Sequence, residues 1–288
     1  MRPGDERQEG LTRASLERVL EIASLSDVGR RRSRNEDAVA GDPALGFALV
    51  ADGMGGHQGG DVASAMAVHV IGEHLSAALE RLPAGAVDPA SGSSLESLEL
   101  REAILGANRA IHQAAARQPR YADMGTTVVA VLFHDNRITI GHVGDSRLYR
   151  LRGEVLERLT ADHSLVQEMI EKGLCEDESA GGCAEFKNVV TRALGPEARV
   201  EVSVQEREVV TDDLFLLCSD GLTDMVSEEE IRLTLRTFSA NLKLAAEQLV
   251  GLANANGGSD NISVVLARAT RDFPANRTLA KRVIDWFI

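Results

Sequence analysis

The sequence predicts an α+β fold. Apolar runs of strand length mostly follow one another along the chain, and the helical segments come in pairs. This order differs from the regular alternation of strands and helices in a parallel doubly wound sheet, and it favours antiparallel sheets with helices kept apart from them. No composition break divides the 288 residues, which are enough to bury a large core, so we expect a single domain.

The first half is predicted to contain one buried strand, two helices and a β meander. Residues 46–52, GFALVAD, form a short apolar run closed by Asp and Gly, which is typical of a buried strand. Ile71, Leu75 and Leu82 recur at helical spacing and predict a helix over residues 61–82, with Asp61 as its cap. Residues 16–26 are apolar enough for a short helix or strand. The other segments are a Pro-, Gly- and Ser-rich loop at 83–94, a helix at 95–117, strands at 126–133, 137–143 and 147–151, and a turn at 134–136.

The second half is predicted to mix strands with a further helix pair. A helix over 227–237 is indicated by Ser227 as its cap, with Glu230 at the third position of a capping box. The remaining segments are a helix at 162–172, a loop at 174–187, strands at 200–209, 213–218 and 261–269, a helix at 242–255 and a terminal helix at 279–288.

The charge balance argues against two classes of partner. The 44 acidic and 31 basic residues give a net charge of −13. Such a surface repels nucleic acid and anionic lipid, so neither is an expected partner. The first ten residues are polar and charged, unlike a secretory signal. No apolar run approaches the roughly 18 residues needed to span a membrane. We therefore expect a cytoplasmic location without membrane contact.

The three cysteines are too few for a disulfide framework. Cys218 lies in the apolar run 214–218 and is expected to be a small buried hydrophobe. Cys175 and Cys183 flank a Gly-rich loop. We interpret them as two plain loop thiols, with a redox or metal role as the alternative.

Four aspartates share a position relative to the predicted strands. Asp52, Asp145 and Asp220 each follow a strand, and Asp260 stands just before one. The acidic pair Glu36-Asp37 comes after a basic run. Strand ends are rigid, so carboxylates placed there can converge on one point. The alternative is that each Asp-Gly is only a turn, since both residues are favoured in turns.

Converging carboxylates would need a cation. Several of them close together cannot all stay ionised without a compensating positive charge. Hard oxygen ligands suit Mg²⁺ or Mn²⁺, whereas zinc sites favour Cys and His. The spacing alone leaves a metal site and a set of turns both open.

Eight ordered sequence blocks carry a family resemblance. They are SDVGRRRSRNED (26–37), ADGMGGHQGGDVAS (51–64), MGTT (124–127), GHVGDSRLYRL (141–151), LTADHSLV (159–166), NVVTRALG (188–195), LLCSDGLTD (216–224) and GGSDNISVVL (257–266). In this order they resemble the metal-dependent protein phosphatase family, type 2C, and within it the compact bacterial Ser/Thr phosphatases. The resemblance covers about residues 22–268.

The resemblance implies an architecture. It is a four-layer αββα sandwich, in which two stacked, mainly antiparallel sheets are flanked by helices. The catalytic domain would span residues 22–269, between an N-terminal extension (1–21) and a C-terminal tail (270–288). The family's flap, which lies beside the active site and helps to choose substrates, corresponds to residues 164–195. Many relatives carry His-Pro where this chain has Ala184-Glu185, so the flap departs from the bacterial pattern.

The resemblance also implies metal ligands. Asp52 resembles the carboxylate that bridges two core metal ions, and the carbonyl of Gly53 resembles a ligand of one of them. Asp220 and Asp260 resemble ligands of the other core ion. Asp145 resembles the ligand of a weaker third ion, with Asp220 shared.

Three further positions match groups around these ions. Asp37, with Glu36 beside it, is expected to contact the ions through water. Arg32 matches the phosphate-binding arginine, and a guanidinium can grip two phosphate oxygens at once. A solvated basic loop is the alternative for Arg32. His57 matches the histidine that could protonate the departing Ser or Thr oxygen; the alternative for it is a polar loop residue. His163 is expected to order the local backbone.

The implied function is that of a protein Ser/Thr phosphatase. Water activated by Mn²⁺ or Mg²⁺ would attack the phosphoserine or phosphothreonine monoester directly in line, with no covalent phosphoenzyme. Two core ions and a third weaker one are implied as cofactors. The expected partners are phosphorylated proteins, namely a Ser/Thr protein kinase and its substrates. A catalytically inactive phosphoprotein-binding module, a dedicated regulator phosphatase and a small-molecule phosphatase are the alternatives.

Overall fold

The computed structural model describes residues 13–55, 59–83, 85–176, 183, 186 and 189–274. The strands there are β1 (Leu20–Asp27), β2 (Asp37–Asp42), β3 (Phe47–Met54), β4 (Gly125–Thr126), β5 (Val128–His134), β6 (Arg137–Val143), β7 (Arg147–Arg152), β8 (Val155–Arg158), β9 (Ser203–Glu208), β10 (Leu214–Cys218) and β11 (Ile262–Ala269). The helices are α1 (Gly60–Leu79), α2 (Leu95–Arg117), α3 (Leu165–Glu171), α4 (Asp220–Thr223), α5 (Glu228–Phe238) and α6 (Leu242–Ala255), with short 3-10 helices at Arg13–Arg18 and Pro119–Tyr121.

Two antiparallel sheets form the centre of the molecule. One sheet has the strand order β1-β11-β10-β7-β8, and the other has the order β2-β3-β5-β6-β9 with β4 paired to β3. The first sheet joins the beginning of the described chain to its end, because β1 pairs with β11 along its whole length, from Leu20 opposite Ala269 to Asp27 opposite Ile262.

Alternating side chains divide the core into layers. In β5, Val129 and Val131 point between the two sheets, whereas Val128 and Ala130 face α1 and α2. Strand β10 alternates in the same way, because Phe215 and Leu217 join the central layer while Leu214, Leu216 and Cys218 face α5 and α6. This period of two follows from strand geometry. The four-layer αββα sandwich is therefore confirmed.

Helix α1 belongs to one of the outer layers. Its residues Ala63, Ala67, Ile71 and Leu75 are fully buried in the apolar cluster shared with α2 and β3. By length and composition alone this helix is apolar enough to cross a membrane, so the expectation that no segment approaches that limit is wrong. A helix in the core of a globular protein can be equally long and apolar, because it buries one whole face against the rest of the fold, as α1 does.

Most predicted elements are present with shifted ends. The predicted strand over 126–133 is interrupted at Thr127. Helix α3 begins at Leu165, three residues later than predicted, because the hydroxyl of Ser164 caps it by accepting from the amide of Gln167. The capping box of Ser227 and Glu230 is present as predicted. Strands β2 and β8 and the one-turn helix α4 were not predicted.

The hairpin between β5 and β6 confirms the predicted turn. Asp135 and Asn136 both have positive φ, at 45° and 56°. Two consecutive left-handed residues match the right-handed twist of the flanking strands, and Asp and Asn tolerate that conformation. The predicted terminal helix and the first twelve residues of the N-terminal extension lie outside the described residues.

Cys175 and Cys183 form a disulfide bond, with their Cα atoms 6.4 Å apart. The interpretation as two plain loop thiols is therefore wrong. Cysteine spacing does not reveal pairing, which depends on how the chain folds back. Cys218 is a buried free thiol, as predicted.

Removing a side chain from the central layer should destabilise the fold. Leu217 is fully buried between the sheets, whereas Leu233 on α5 is 46% exposed. We expect Leu217→Ala to lower the free energy of unfolding by about 2–5 kcal/mol, because it leaves a cavity. We expect Leu233→Ala to change it by less than about 0.5 kcal/mol. Urea unfolding of the two variants checks this, and equal losses would contradict the layer assignment.

Candidate active site

The register of β2 and β3 brings two aspartates side by side. Asp37, the first residue of β2, pairs directly with Asp52 near the end of β3. Directly opposed residues of an antiparallel pair project from the same face of the sheet. The amide of Gly53 donates to the Glu36 carbonyl over 3.2 Å, which fixes the backbone around the pair. Two acidic side chains are thus held together by strand pairing.

The other predicted aspartates reach the same place from different elements. A cavity of about 940 Å³ is lined by Asp52, Asp145, Asp220 and Asp260, together with Gly53. Asp145 follows β6, Asp220 opens α4 directly after β10, and Asp260 precedes β11. Asp37 is not among the lining residues, and the Ser219 hydroxyl donates to its Oδ2 over 2.9 Å. His57 lies outside the described residues.

Burial and mutual repulsion raise the pKa values of this group. Burial, and then the charges of Asp37 and Asp220, raise the pKa of Asp52 well above its usual range. Burial, followed by repulsion from Asp145, raises the pKa of Asp220 to about 7. Burial also raises the pKa of Asp145 to about 6. Carboxylates in this arrangement favour protonation unless a positive charge compensates them.

The arrangement fits divalent cations. Within the described part of the chain, the Oδ1 atoms of Asp37 and Asp220 are buried without a hydrogen-bond partner. Unpartnered buried acceptors are costly, and a cation would satisfy them. The set consists of oxygen donors, as Mg²⁺ and Mn²⁺ prefer. The described residues contain no group of three acidic, His or Cys side chains already gathered around one point. Repulsion separates uncompensated carboxylates, and a backbone carbonyl or water can complete a ligand set, so the shared cavity and the raised pKa values still fit a cation site.

The Arg32 loop is fastened beside these carboxylates. The Asn261 side chain donates to the carbonyls of Val28 and Arg34 and accepts from the amide of Glu36, over 2.8–2.9 Å. One side chain therefore braces three backbone groups of the loop. Arg32 lines the cavity and its guanidinium donates to Asp260 over 2.6 Å. That hydrogen bond raises the pKa of Arg32, so the guanidinium stays charged at the cavity rim.

His163 holds the backbone next to Asp145. Its Nδ1 accepts from the amide of Gly144 over 3.1 Å, and its own amide donates to the Gly144 carbonyl over 3.0 Å. The Nε2 atom lies 3.0 Å from the Ser203 hydroxyl on β9, and the ring stacks on His142. Burial lowers the pKa of His163 to about 3, so the ring is neutral and Nδ1 is free to accept. The expectation that His163 orders the local backbone is confirmed.

The segment predicted as the flap, residues 164–195, reaches the cavity through its described residues near Val190. The Thr191 amide donates to the His163 carbonyl over 2.8 Å, and Val190 forms an isolated bridge with Ser164. Val190 also lines the cavity that contains the aspartates. The same histidine thus contacts both the Asp145 loop and the base of the flap.

Three polar residues of the site were not singled out from the sequence. They are Thr127, whose Oγ1 accepts from the Asp52 amide, Ser219, which contacts Asp37, and Asn261. Each lies inside a quoted block, MGTT, LLCSDGLTD or GGSDNISVVL. Their position within those blocks was the signal that could have identified them. Their roles are hydrogen bonds to the backbone and to the aspartates, and these contacts are seen only in the three-dimensional structure.

Neutralising Asp220 should stabilise the protein when divalent cations are removed. A carboxyl with a raised pKa stabilises the fold below its unfolded pKa near 4, and that stability is lost as the pH rises through about 7. At pH 8 in a chelator we expect Asp220→Asn to raise the free energy of unfolding by roughly 1–3 kcal/mol, allowing for solvent in the cavity. The gain should shrink at pH 5. Urea unfolding at both pH values measures it.

Asp213→Asn is the matched control. Asp213 is buried, but Arg152 donates to both of its carboxylate oxygens over 2.6–2.7 Å. Breaking that pair should destabilise the protein at both pH values. A loss of stability in Asp220→Asn at pH 8 would contradict the repulsion inferred for the cavity.

Comparisons with known proteins agree with this geometry. The family model described as Protein phosphatase 2C matches residues 29–254. The serine/threonine phosphatase Stp of Listeria monocytogenes is 39% identical over 246 residues, which cover 84% of this chain and 92% of that protein. The protein phosphatase PhpP of Streptococcus pneumoniae is 36% identical over 253 residues, covering 86% and 96% of the two chains.

A solved structure shows the same arrangement of the chain. The catalytic domain of the serine/threonine protein phosphatase PstP, in complex with two manganese ions, superimposes with a TM-score of 0.74 at 35% sequence identity. The match covers 87% of this chain and 98% of that one. The chain belongs to the protein phosphatase 2C family.

Proposed function

We propose that this protein is a metal-dependent phosphatase that removes phosphate from Ser and Thr side chains of other proteins. The observation that carries the proposal is the convergence of Asp52, Asp145, Asp220 and Asp260 on one cavity with Arg32 at its rim. A relative named as a serine/threonine phosphatase and one named as a protein phosphatase each match over more than four fifths of the chain. The open cavity and the polar groups around it suit a phosphate carried on a larger molecule.

We propose that the carboxylates hold Mn²⁺ or Mg²⁺. Asp52, Asp220 and Asp260, with the Gly53 carbonyl, would hold two core ions, and Asp37 would contact them through water. Asp145 would bind a third, weaker ion with Asp220 shared. The bound ions would supply positive charge that neutralises the carboxylates, polarises the phosphate and makes a water nucleophilic at neutral pH. The unpartnered Oδ1 atoms of Asp37 and Asp220 support this ligand set.

Arg32 is proposed to bind the phosphate. A guanidinium can donate two parallel hydrogen bonds to phosphate oxygens, and its charge would offset the charge that develops during in-line displacement. Its present partner is the partly exposed Asp260, whose side chain is 32% exposed while that of Arg32 is 52% exposed. An exposed pair of this kind contributes little to stability. Exchanging Asp260 for a phosphate oxygen would therefore cost the protein little.

We propose that His57 protonates the leaving oxygen, on the basis of its position in the sequence block 51–64. His163, which lies beside the Asp145 loop, is not suited to donate this proton. Its Nδ1 accepts from Gly144 and its Nε2 faces Ser203, so both ring nitrogens are already engaged.

The biological setting is also proposed. The substrates would be phosphorylated proteins, including a Ser/Thr protein kinase and the targets of that kinase, in the cytoplasm. The net charge of −13 supports a role away from nucleic acid and anionic membranes. Dephosphorylation of an autophosphorylated kinase, compared with a free phosphoamino acid ester, would distinguish protein substrates from small molecules.

Phosphate release from a phosphothreonine peptide tests the function. We expect release with Mn²⁺, none in a chelator, and a loss of at least about 100-fold in Asp220→Ala, because the substitution removes a carboxylate from the ion site. Folded, Mn²⁺-treated wild type that binds the peptide without releasing phosphate would indicate an inactive phosphoprotein-binding module and overturn the proposal.

A second prediction separates Arg32 from its basic neighbours. Arg32→Ala should lower kcat/KM by roughly 10- to 100-fold, as expected for the loss of a charge-assisted contact to the reacting phosphate. Arg31→Ala is the matched control, since Arg31 lies in the same exposed loop but is not among the residues lining the cavity. Equal effects of the two substitutions would show that the loop contributes only general positive charge.

A further inference from the structure

The disulfide bond joins two parts of the flap, and neither cysteine is among the residues that line the carboxylate cavity. Cys175 follows the end of α3, and the Leu174 amide donates back to the Met169 carbonyl over 2.8 Å. Cys175 and Cys183 are each 9% exposed and pack with Val166 of α3 in a small apolar cluster of their own. The bond therefore attaches Cys183 to the helix that begins the flap.

A second connection joins the two ends of the flap at the cavity. The Leu165 amide donates to the Val189 carbonyl over 2.8 Å, and Ser164 forms a bridge with Val190. Val190 lines the cavity. Hydrogen bonds thus link the start of helix α3 to the returning segment around Val190 at the cavity. The covalent bond links Cys175, just after the end of α3, to Cys183. Thr191 is hydrogen-bonded to His163 and Leu194 to Thr126 as well, and the disulfide adds a covalent link to these hydrogen bonds.

The cysteine pair is suited to reversible chemistry. The eight-residue separation keeps the two thiols close after reduction, so the bond can form again within the molecule. The neighbouring Leu174 is 68% exposed, which gives reagents access to this side of the cluster. Cys218 is fully buried, so it is a poor competitor in exchange.

We propose that Cys175 and Cys183 form a thiol–disulfide exchange site for small-molecule thiols and disulfides, and that its redox state sets how well the flap binds phosphoprotein substrates. The inference rests on the proposed function. In the cytoplasm, where we place the chain, stable structural disulfides are uncommon and exchanging ones are the more frequent kind.

A dithiol can serve as the reductant, and the electrons and protons of the exchange then balance. One thiolate of the dithiol attacks a cysteine sulfur, the S–S bond breaks, and a mixed disulfide forms. The second thiol of the dithiol then displaces the protein sulfur and leaves as a cyclic disulfide. The protein gains two electrons and two protons as two thiols. A low-molecular-weight disulfide such as oxidised glutathione carries out the reverse reaction.

The effect should be confined to large substrates. The carboxylates lie on or beside strands and helices that the disulfide does not touch, whereas Val190 belongs to the segment that it helps to hold. A small aryl phosphate needs only the carboxylates and Arg32. A phosphopeptide also has to lie along the flap, so its KM is the quantity that the redox state should change.

The experiment compares oxidised and reduced protein without any substitution. Wild type is equilibrated with oxidised glutathione or with dithiothreitol, the reagents are removed, and free thiols are counted by alkylation and mass spectrometry. We expect one free thiol, Cys218, after oxidation and all three cysteines free after reduction. Reduction should raise the KM for a phosphothreonine peptide about three- to ten-fold and leave kcat for para-nitrophenyl phosphate within about two-fold.

Two variants make the comparison specific. The double variant Cys175→Ser/Cys183→Ser should behave like reduced wild type under both treatments, whereas Cys218→Ser should respond as wild type does. Failure of the pair to form at any glutathione ratio, or identical phosphopeptide KM values in both redox states, would overturn the inference.

The two proposals fail in distinguishable ways. If neither substrate releases phosphate in either state, the proposed function fails. Fluorescence anisotropy of a labelled phosphothreonine peptide on the same two samples then decides the inference separately, because a difference in affinity supports the exchange site and equal affinities contradict it.

Discussion

The enclosure and mutual repulsion of clustered carboxylates are the constraint on which the rest of this structure depends. Asp37, Asp52, Asp145 and Asp220 are brought together by strand pairing and by the turns that follow strands, and their pKa values are raised by burial and by one another. Left alone, such a group lowers the stability of the fold at neutral pH. With divalent cations, the same group becomes a site that can bind phosphate. The repulsion that lowers the stability of the apoprotein is the same repulsion that a bound cation would relieve, so it favours cation binding.

The surrounding scaffold holds these carboxylates mainly with neutral groups. Ser219 donates to Asp37, Thr127 accepts from the backbone of Asp52, and Asn261 braces the loop that carries Arg32. Neutral hydroxyl and amide groups fix positions without cancelling the negative charge that a cation requires. Behind them the two sheets pack through an apolar layer, so the strand ends are anchored in rigid structure. Arg32 and Asp260, at the exposed rim, form the polar contact that is easiest to exchange.

Much of the fold could be predicted from the sequence, because its central strands are strongly apolar and bounded by Asp and Gly, as residues 46–52 and 213–218 show. Strand β2, DAVAGD, was missed since its small, half-buried residues give no alternating pattern. The aspartates were found as candidates because each stands at a strand end, but only the register of β2 against β3 explains why Asp37 adjoins Asp52. Three contacts could not be predicted: the disulfide, the hydrogen bonds of Asn261 to the Arg32 loop, and the contact of Arg32 with Asp260. Each joins residues that are far apart in the sequence or that lie in loops, and local sequence pattern does not say which such residues pair.

The most direct test of this account is the binding of Mn²⁺ measured by isothermal titration calorimetry on wild type, Asp52→Asn and the exposed surface variant Asp272→Asn. The account predicts about two tightly bound ions for wild type and for Asp272→Asn, and the loss of tight binding in Asp52→Asn, because a cation shared between carboxylates requires the central one. Wild type that binds no Mn²⁺ in the millimolar range, or an Asp52→Asn variant with unchanged stoichiometry and affinity, would contradict the claim that these carboxylates are gathered to hold cations.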